Sequence, residues 1–370
     1  MKPARHWAGP RLVQPASVGL HDSDMGEARS CSRVRESRLE NLDGLILLVF
    51  PLSGPAMTLI SIPANPVPDN VVSGTIKASD GVELRFARWA PPTRRKGTVC
   101  LFTGRGECIE KYFETVRDLR DRGFAVAMID WRGQGHSARR LRDSRKGHAR
   151  DFADFELDVE ALMQHVVLPD CPPPYFALAH SMGGAVMLRV AHSGKRWFDR
   201  MVLSAPMIDL PGRSTTLPVR MIVRALRWLG RGGQYVPGGT DTLTGTGPFL
   251  DNTLTSDPVR YARNAAILAE DPTLGIASPT VAWADTAFRA IVEFRAADYP
   301  AAIRQPILMM AASHDTIVST AAIEEFAYHL RGGSHLVIAG SRHEILQEQD
   351  RYRQQFWAAF DAFIPGTPLY

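Results

Sequence analysis

A serine between an apolar run and two glycines is the first stretch of this chain that could carry out chemistry. Residues 175–180 are apolar enough for a buried strand, Ser181 follows directly, and Gly183 and Gly184 open an apolar helical stretch. A serine on a sharp strand-to-helix turn points its hydroxyl out of the sheet and leaves the next N–H free to hold an oxyanion. The usual pattern is Gly-x-Ser-x-Gly, and here Ala179 supplies the small residue. The stretch therefore indicates either a nucleophilic serine or an exposed serine on a plain glycine turn.

A serine nucleophile needs a base and an acid that orients the base. In the strand–serine–helix arrangement the acid and then the histidine follow the serine, each in a loop at the C-terminal end of a strand. Asp315 and His343 each follow a short apolar run, so we expect them to meet Ser181 at one edge of the sheet. Asp130 also ends a strand but precedes the serine, so we expect it to hold its glycine-rich loop. His136 lies in that loop and is a candidate to line the site.

The second donor to an oxyanion is expected in the loop after the predicted strand 98–102. Gly104 and Gly106 flank Arg105 there, and glycines let backbone N–H groups approach a substrate carbonyl. We predict the N–H groups of Arg105 and Met182 as the oxyanion pair, with Gly104 and Gly106 as substrate contacts. A plain turn would suit these two glycines equally well.

The order of elements predicts the fold class. Strands alternate with helices from about residue 71, which is typical of a mostly parallel, doubly wound α/β sheet with right-handed crossovers. The pattern breaks at Pro211, and residues 211–299 are helical and loop-rich, as expected of a cap inserted between strands six and seven. The predicted strands are 71–77, 82–89, 98–102, 124–129, 175–180, 201–204, 306–311 and 335–339. The predicted helices flanking the sheet are 109–119, 152–167, 185–190, 321–330 and 345–363.

Composition limits the function classes. The chain has 370 residues with 43 basic and 39 acidic side chains, a balance that does not argue for nucleic acid. The four cysteines, Cys31, Cys100, Cys108 and Cys171, are scattered without metal spacing. They indicate reduced thiols in a cytoplasmic protein rather than a disulfide framework. We expect no metal ion and no organic cofactor.

The first residues are unlike the rest of the chain. Residues 1–43 are rich in arginine, serine, glycine and acidic residues without clear periodicity, which favours disorder. The apolar run 45–50 is too short, and the prolines after it too frequent, for a membrane span or a secretory signal. We expect Met57 to be the native start, with residues 1–56 a disordered or non-native extension and 57–370 the folded domain.

The chain resembles the α/β-hydrolase superfamily, and within it the serine-aminopeptidase-like branch that holds monoacylglycerol lipases and bacterial lysophospholipases. The resemblance covers about residues 70–363. Two positions depart from the pattern: Thr103 stands where the family often has histidine, and Ala179 where it has glycine. The matching residues are Gly104-x-Gly106-Glu107, Asp130-x-Arg132-Gly133-Gln134-Gly135-His136-Ser137, His180-Ser181-Met182-Gly183-Gly184, Asp315 with Ile317-Val318, His343-Glu344 and, in the cap, Leu254-Thr255, Arg260-Tyr261, Asn264, Asp271-Pro272 and Pro279-Thr280 before Trp283.

The resemblance implies a serine esterase that acts on a single-chain lipid ester, a lysophospholipid first and a monoacylglycerol second. Ser181 would attack the acyl carbonyl, His343 would act as base and then acid, and Asp315 would orient His343. A peptidase or small-ester hydrolase with the same triad is the enzymatic alternative. A hydrolase-fold binding protein without catalysis is the alternative outside enzymology.

Two basic stretches bear on partners. In 217–229 and just beyond it, arginines recur at helical spacing on one side with apolar residues elsewhere. This pattern suits transient contact with an anionic lipid surface, such as the inner face of the cytoplasmic membrane. It equally describes a lid helix whose apolar side covers the active site while its arginines are solvated, which is the interpretation we favour. The basic run 139–150 could meet phosphates but is more often a solvated loop, and no nucleic-acid motif accompanies it.

Overall fold

The computed structural model describes residues 57–91, 96–212 and 215–364. The predicted N-terminal extension, residues 1–56, lies outside the described residues. Cys100, Cys108 and Cys171 are free, buried thiols, and Cys31 lies outside the described part of the chain.

One eight-stranded sheet organises the described chain, with strand order β1-β2-β4-β3-β5-β6-β7-β8. β1 and β2 pair antiparallel, as do β2 and β4, whereas every other neighbouring pair is parallel. The predicted mostly parallel α/β sheet is therefore confirmed. The strands are β1 Val71–Lys77, β2 Glu83–Trp89, β3 Thr98–Phe102, β4 Ala125–Ile129, β5 Tyr175–His180, β6 Arg200–Ser204, β7 Ile307–Ala312 and β8 Gly333–Ile338.

Helices connect the parallel strands. Three predicted helices are interrupted: 109–119 begins with a 3-10 turn, 152–167 ends in a π turn, and 345–363 begins with a 3-10 turn at Ile345–Gln347. The α-helices are α1 Phe113–Asp121, α2 Asp154–Leu162, α3 Leu168–Asp170, α4 Met182–His192, α5 Leu217–Leu226, α6 Pro258–Glu270, α7 Val281–Phe294, α8 Tyr299–Ala302, α9 Thr320–His329 and α10 Asp350–Phe363.

Alternation along the central strands produces a three-layer core. In β3, Cys100 and Phe102 point to the face covered by α2, α4 and α9, whereas Val99 and Leu101 point to the face covered by α1 and α10. Successive side chains of a strand lie on opposite faces, so a strand buried on both sides must be apolar throughout. This burial fixes the register of the strands whose C-terminal ends carry the predicted site residues.

Helices α5 to α8 lie between β6 and β7, and α5 to α7 fall in the segment 211–299 that we call the cap segment. Asp257 caps α6 by accepting hydrogen bonds from the N–H groups of Val259 and Arg260, with Pro258 at the first helical position. Thr280 caps α7 through the N–H of Trp283. These local signals set where the two longest helices of the cap segment begin.

Ion pairs join α6 to the helices of the sheet domain. Glu114 in α1 accepts hydrogen bonds from Arg260 at 2.6 Å, Arg263 at 2.6 Å and Arg353 at 2.8 Å. Burial alone would raise the pKa of Glu114, but the three guanidinium groups dominate and lower it to about 2. One carboxylate thus holds two arginines of α6 beside one of α10.

Helix α5 does not cover the active site with its apolar side, so the interpretation that we favoured is wrong. Arg224 and Arg227 turn inward and donate to Asp285 of α7, both at 2.7 Å. Val223 packs inward against Val281 and Ala284 of α7. Other apolar side chains point outward: Met221 is 62%, Trp228 89% and Leu229 73% exposed.

No helix among the described residues is long and apolar enough to cross a bilayer.

Candidate active site

The backbone at Ser181 has the geometry of a nucleophile turn. Its φ is 49° and its ψ −113°, a conformation that residues other than glycine adopt only when their surroundings impose it. The N–H of Ser181 donates to the carbonyl of Ser204 at 3.0 Å, and its carbonyl accepts from the N–H of Met207 at 2.9 Å. The turn is thus held from both sides by the end of β6.

The two glycines after the serine are required by close packing. A Cβ at Gly183 would lie 2.6 Å from the carbonyl oxygen of Thr103, and one at Gly184 would lie 2.7 Å from the Cβ of Pro206. A Cβ has no room at these distances, so glycine lets the start of α4 approach the chain after β3 at Gly183 and Pro206 after β6 at Gly184. Ala179, the departure from the usual pattern, is fully buried in β5.

The structure brings Ser181, His343 and Asp315 together. The His343 Nε2 lies 3.0 Å from the Ser181 Oγ, and the His343 Nδ1 lies 2.7 Å from the Asp315 Oδ2. The other carboxylate oxygen accepts from the N–H groups of Ile317 at 2.8 Å and Val318 at 2.9 Å. Burial opposes ionisation, yet the contact with His343 and these N–H groups keep the pKa of Asp315 below its usual value. This is the serine–histidine–carboxylate geometry that activates a hydroxyl.

Two backbone N–H groups near Ser181 remain without a protein acceptor in the described part of the chain. They belong to Arg105 and Met182, the predicted oxyanion pair. The neighbouring N–H groups are used within the protein: that of Gly104 donates to Glu107, and that of Gly106 donates to Gln134 at 3.0 Å. We expected Gly104 and Gly106 to contact substrate, but these bonds give them the role of shaping the loop that presents Arg105.

His136 does not line the site, contrary to our expectation. Its Nε2 lies 2.8 Å from the Asp271 Oδ2 and 3.2 Å from the Thr273 hydroxyl, both in the cap segment. Its backbone N–H donates to Asp130 at 2.9 Å, and Asp130 also accepts from Arg85 at 2.6 Å. Asp130 fixes the glycine-rich loop, as expected, and the loop then directs the imidazole toward the cap segment.

A buried charge cluster beside the triad escaped the sequence analysis as a functional unit. Lys111 donates to Glu107 at 2.9 Å and to Glu344 at 2.6 Å. Glu107 also accepts from the Tyr112 hydroxyl at 2.7 Å and lies 3.2 Å from the His180 Nδ1. The sequence signals were the match of Glu107, His180 and Glu344 to the family pattern and the spacing of four between Glu107 and Lys111.

The charge cluster shifts the pKa values of its members. Burial raises the pKa of Glu107, but the charges of Lys111 and His180 outweigh burial and leave it well below the usual range. Burial alone would lower the pKa of Lys111, but the carboxylates of Glu107 and Glu344 outweigh burial and raise it above its usual value. The His180 ring stands 4.8 Å from the His343 ring, and its Nε2 lies 3.3 Å from the His343 carbonyl. The cluster therefore supports the loop that carries His343.

A cavity of about 310 Å³ opens over Ser181 and His343. This volume is within the range of small-molecule sites. Its polar side is formed by Arg105 and the charge cluster. Most of the remaining wall is apolar and includes Met207, Leu210, Leu254, Ile267, Leu268, Trp283 and Val318. The cavity thus combines a largely apolar lining with a few charged side chains close to Ser181.

Comparisons with known proteins find similarity to serine hydrolases and to enzymes named for lipid esters. The family model described as serine aminopeptidase, S33 matches residues 93–350. Lysophospholipase L2 of Escherichia coli strain K12 is 33% identical over 286 residues, which cover 74% of this chain and 82% of that protein. Monoglyceride lipase of Mus musculus is 30% identical over 171 residues, 45% of this chain and 52% of that protein.

Solved structures match the fold. A soluble variant of monoglyceride lipase from Saccharomyces cerevisiae, in complex with a substrate analog, aligns with a TM-score of 0.60 at 22% identity. The alignment covers 79% of this chain and 96% of that one. A thermostable carboxyl esterase from Bacillus coagulans aligns with a TM-score of 0.66 at 19% identity, over 81% of this chain and 99% of that one.

Proposed function

The chain belongs to the serine aminopeptidase S33 family of α/β hydrolases, and we propose that it is a serine ester hydrolase of single-chain lipid esters. We take lysophospholipids as the first substrate class and monoacylglycerols as the second. The observation that carries the proposal is the contact of Ser181, His343 and Asp315, with 3.0 Å between nucleophile and base.

The reaction follows from that geometry. The Ser181 Oγ attacks the acyl carbonyl while the His343 Nε2 takes the hydroxyl proton, and Asp315 stabilises the imidazolium. The N–H groups of Arg105 and Met182 hold the oxyanion of the tetrahedral intermediate. His343 then gives its proton to the leaving alcohol, which departs as the acyl-enzyme forms. A water that loses its proton to His343 attacks the acyl-enzyme and releases the fatty acid, which restores the serine.

Two observations support a lipid substrate. The wall of the cavity is mainly apolar, which suits an acyl chain better than a charged peptide. Similarity to the protein named lysophospholipase L2 extends over most of both chains, whereas similarity to monoglyceride lipase extends over less than half of this one. This difference in coverage is the reason for placing lysophospholipids first.

Labelling with a fluorophosphonate probe tests the nucleophile. We expect covalent labelling of the wild-type protein and none of Ser181→Ala. Asp315→Asn keeps the shape of the acid but removes its charge, so we expect kcat to fall by about three to four orders of magnitude. Labelling of Ser181→Ala equal to that of wild type would refute the mechanism.

Matched substrates test the specificity. Rates on a lysophosphatidylcholine, a monoacylglycerol and an aminoacyl amide should decrease in that order. A clear preference for the amide would overturn the lipid assignment and favour a peptidase.

We also propose that α5 and the turn after it contact an anionic lipid surface, where such substrates gather. The outward side chains Met221, Trp228 and Leu229 are apolar, and Arg220 and Arg231 accompany them. An amphipathic helix with exposed tryptophan and leucine beside arginines is suited to the interface of an anionic bilayer. The surface in question would be the inner face of the cytoplasmic membrane.

Vesicle sedimentation tests this contact. The wild-type protein should sediment with vesicles of phosphatidylcholine and phosphatidylglycerol, and less with phosphatidylcholine alone. Replacing Trp228 and Leu229 with serine should weaken binding by tenfold or more, since burying such side chains contributes about 1.5–3 kcal/mol each. Tyr328→Ser is the matched control, because Tyr328 is 82% exposed on α9. Equal binding by the double variant and by wild type would refute the contact.

A further inference from the structure

Two cationic side chains line the catalytic cavity, and only one of them has carboxylate partners. Lys111 lies between the carboxylates of Glu107 and Glu344. Arg105 has no carboxylate partner among the described residues: its Nη2 donates to the carbonyl of Ala277 at 2.6 Å, and its guanidinium lies 5.1 Å from the Trp283 ring centroid. The cavity therefore contains one cation whose charge the protein does not balance.

Arg105 is half-buried in the cavity wall. Its Nε is buried and has no hydrogen-bond partner in the described part of the chain. Burial lowers the pKa of Arg105 to about 10, which still leaves it charged at neutral pH. A partly desolvated cation without a counter-anion favours an anionic ligand.

The surrounding chain makes room for this side chain. Gly147 packs closely beside the guanidinium: a Cβ there would lie 2.6 Å from the Arg105 Nη2 and 2.6 Å from the Ile276 Cδ1 in their present positions. Ala277 and Trp283 of the cap segment hold it on the other side. A guanidinium fixed in this way is preorganised to bind a phosphate or carboxylate through two N–H groups.

We propose that the Arg105 guanidinium binds the headgroup phosphate of a lysophospholipid, so that this side chain selects phospholipid over monoacylglycerol. The inference rests on the proposed function and deepens it.

Reach supports this assignment. If the N–H of Arg105 holds the ester oxyanion, the arginine side chain and the substrate headgroup both extend from that hydrogen bond. The bonds from the ester carbonyl carbon of a 1-acyl lysophospholipid to its phosphorus equal in number those from an arginine amide nitrogen to its guanidinium carbon. The two paths are therefore of comparable length, which is compatible with contact between phosphate and guanidinium. Every substitution at this position except proline keeps the backbone N–H, which separates the selecting role from the oxyanion role.

The test compares two monomeric substrates with the same acyl chain, 1-octanoyl-lysophosphatidylcholine and 1-octanoylglycerol. In Arg105→Gln we expect the ratio of kcat/KM for the lysophospholipid to that for the glyceride to fall on the order of ten- to a hundredfold. Arg105→Lys keeps the charge but loses the pair of parallel N–H donors, so its ratio should lie between those of wild type and Arg105→Gln. Arg145→Gln is the matched control, because Arg145 is exposed and paired with Asp143 and Asp241.

A second measurement does not depend on turnover of the phospholipid. Glycerol 3-phosphate should inhibit octanoylglycerol hydrolysis by wild type more strongly than inorganic phosphate or glycerol does, and Arg105→Gln should weaken this inhibition by a similar factor. An unchanged substrate ratio in a folded Arg105→Gln would overturn the inference and leave the esterase intact. Wild-type protein that cleaves neither lipid would overturn the esterase proposal, and the inference would fall with it.

Discussion

The backbone conformation of Ser181 affects both the stability of the fold and the direction in which the hydroxyl points. Its φ of 49° is imposed by hydrogen bonds to Ser204 and Met207 and by the glycine contacts of α4. Strain of this kind is commonly worth about 1–3 kcal/mol and is found where a side chain must be presented in one direction. The strained turn directs the Ser181 hydroxyl toward His343 and leaves the N–H of Met182 without an acceptor in the described part of the chain.

Relief of this strain gives a prediction about stability. Ser181→Gly should have a free energy of unfolding about 1 kcal/mol higher than Ser181→Ala. The relieved strain, about 1–3 kcal/mol, exceeds the entropy that glycine adds to the unfolded chain, about 0.4–1 kcal/mol. Urea unfolding of the two inactive variants measures the difference. A glycine variant less stable than the alanine variant would show that the turn is unstrained.

Residue order was enough to predict which three side chains meet, because parallel strands end at one edge of the sheet. It was not enough to place His136, whose imidazole contacts Asp271, 135 positions later in the chain. Nor could it show that the Arg105 guanidinium lacks a counterion, since that depends on which carboxylates the fold brings near. Packing determines which side chains that are distant in sequence become partners, so the local sequence pattern does not predict them.

At the scale of elements, alternation in the first two strands and short apolar runs in the others predicted the eight strands to within about two residues at each end. The 3-10 and π turns that interrupt three helices were missed, because the apolar spacing continues through them. The orientation of α5 was also missed. Its apolar face suggested burial, but the Arg224 and Arg227 contacts to Asp285 turn that face outward.

The contact between α6 and the sheet domain predicts a pH dependence. The folded-state pKa of Glu114 is about 2, below its unfolded value, so its ion pairs stabilise the fold fully above about pH 4.5 and progressively less as pH falls toward 2. Allowing for partial solvent exposure, we expect Glu114→Gln to lower the free energy of unfolding by about 2 kcal/mol at pH 7.

The same difference should shrink to less than half at pH 3, where the wild-type protein has lost most of this contribution. Urea unfolding of both proteins at the two pH values measures it. Asp361→Asn, which removes an exposed partner of Arg122, is the control and should change stability by well under 1 kcal/mol. A Glu114→Gln deficit that is equal at both pH values would contradict the account.

At the scale of the whole molecule, the cavity lies where the C-terminal ends of the parallel strands meet the cap segment. The sheet domain supplies the proposed triad and oxyanion donors and the charge cluster, whereas α6 and α7 supply much of the apolar lining. This division leaves α5, with its outward apolar face, free for the lipid surface we propose. In the proposed scheme, catalysis and substrate selection meet at Arg105, through its backbone N–H and its guanidinium, whereas surface contact falls on α5.

The central claim is that Ser181 accepts the acyl group of a lysophospholipid. Asp315→Asn should slow the chemistry without removing the nucleophile, so the protein is mixed with 1-octanoyl-lysophosphatidylcholine, quenched in acid and digested for mass spectrometry. We predict one octanoyl group on the peptide that contains Ser181, and none on the same peptide from Ser181→Ala. Hydrolysis of the lipid by wild type with the octanoyl group on another residue, or unaltered hydrolysis by Ser181→Ala, would contradict the account.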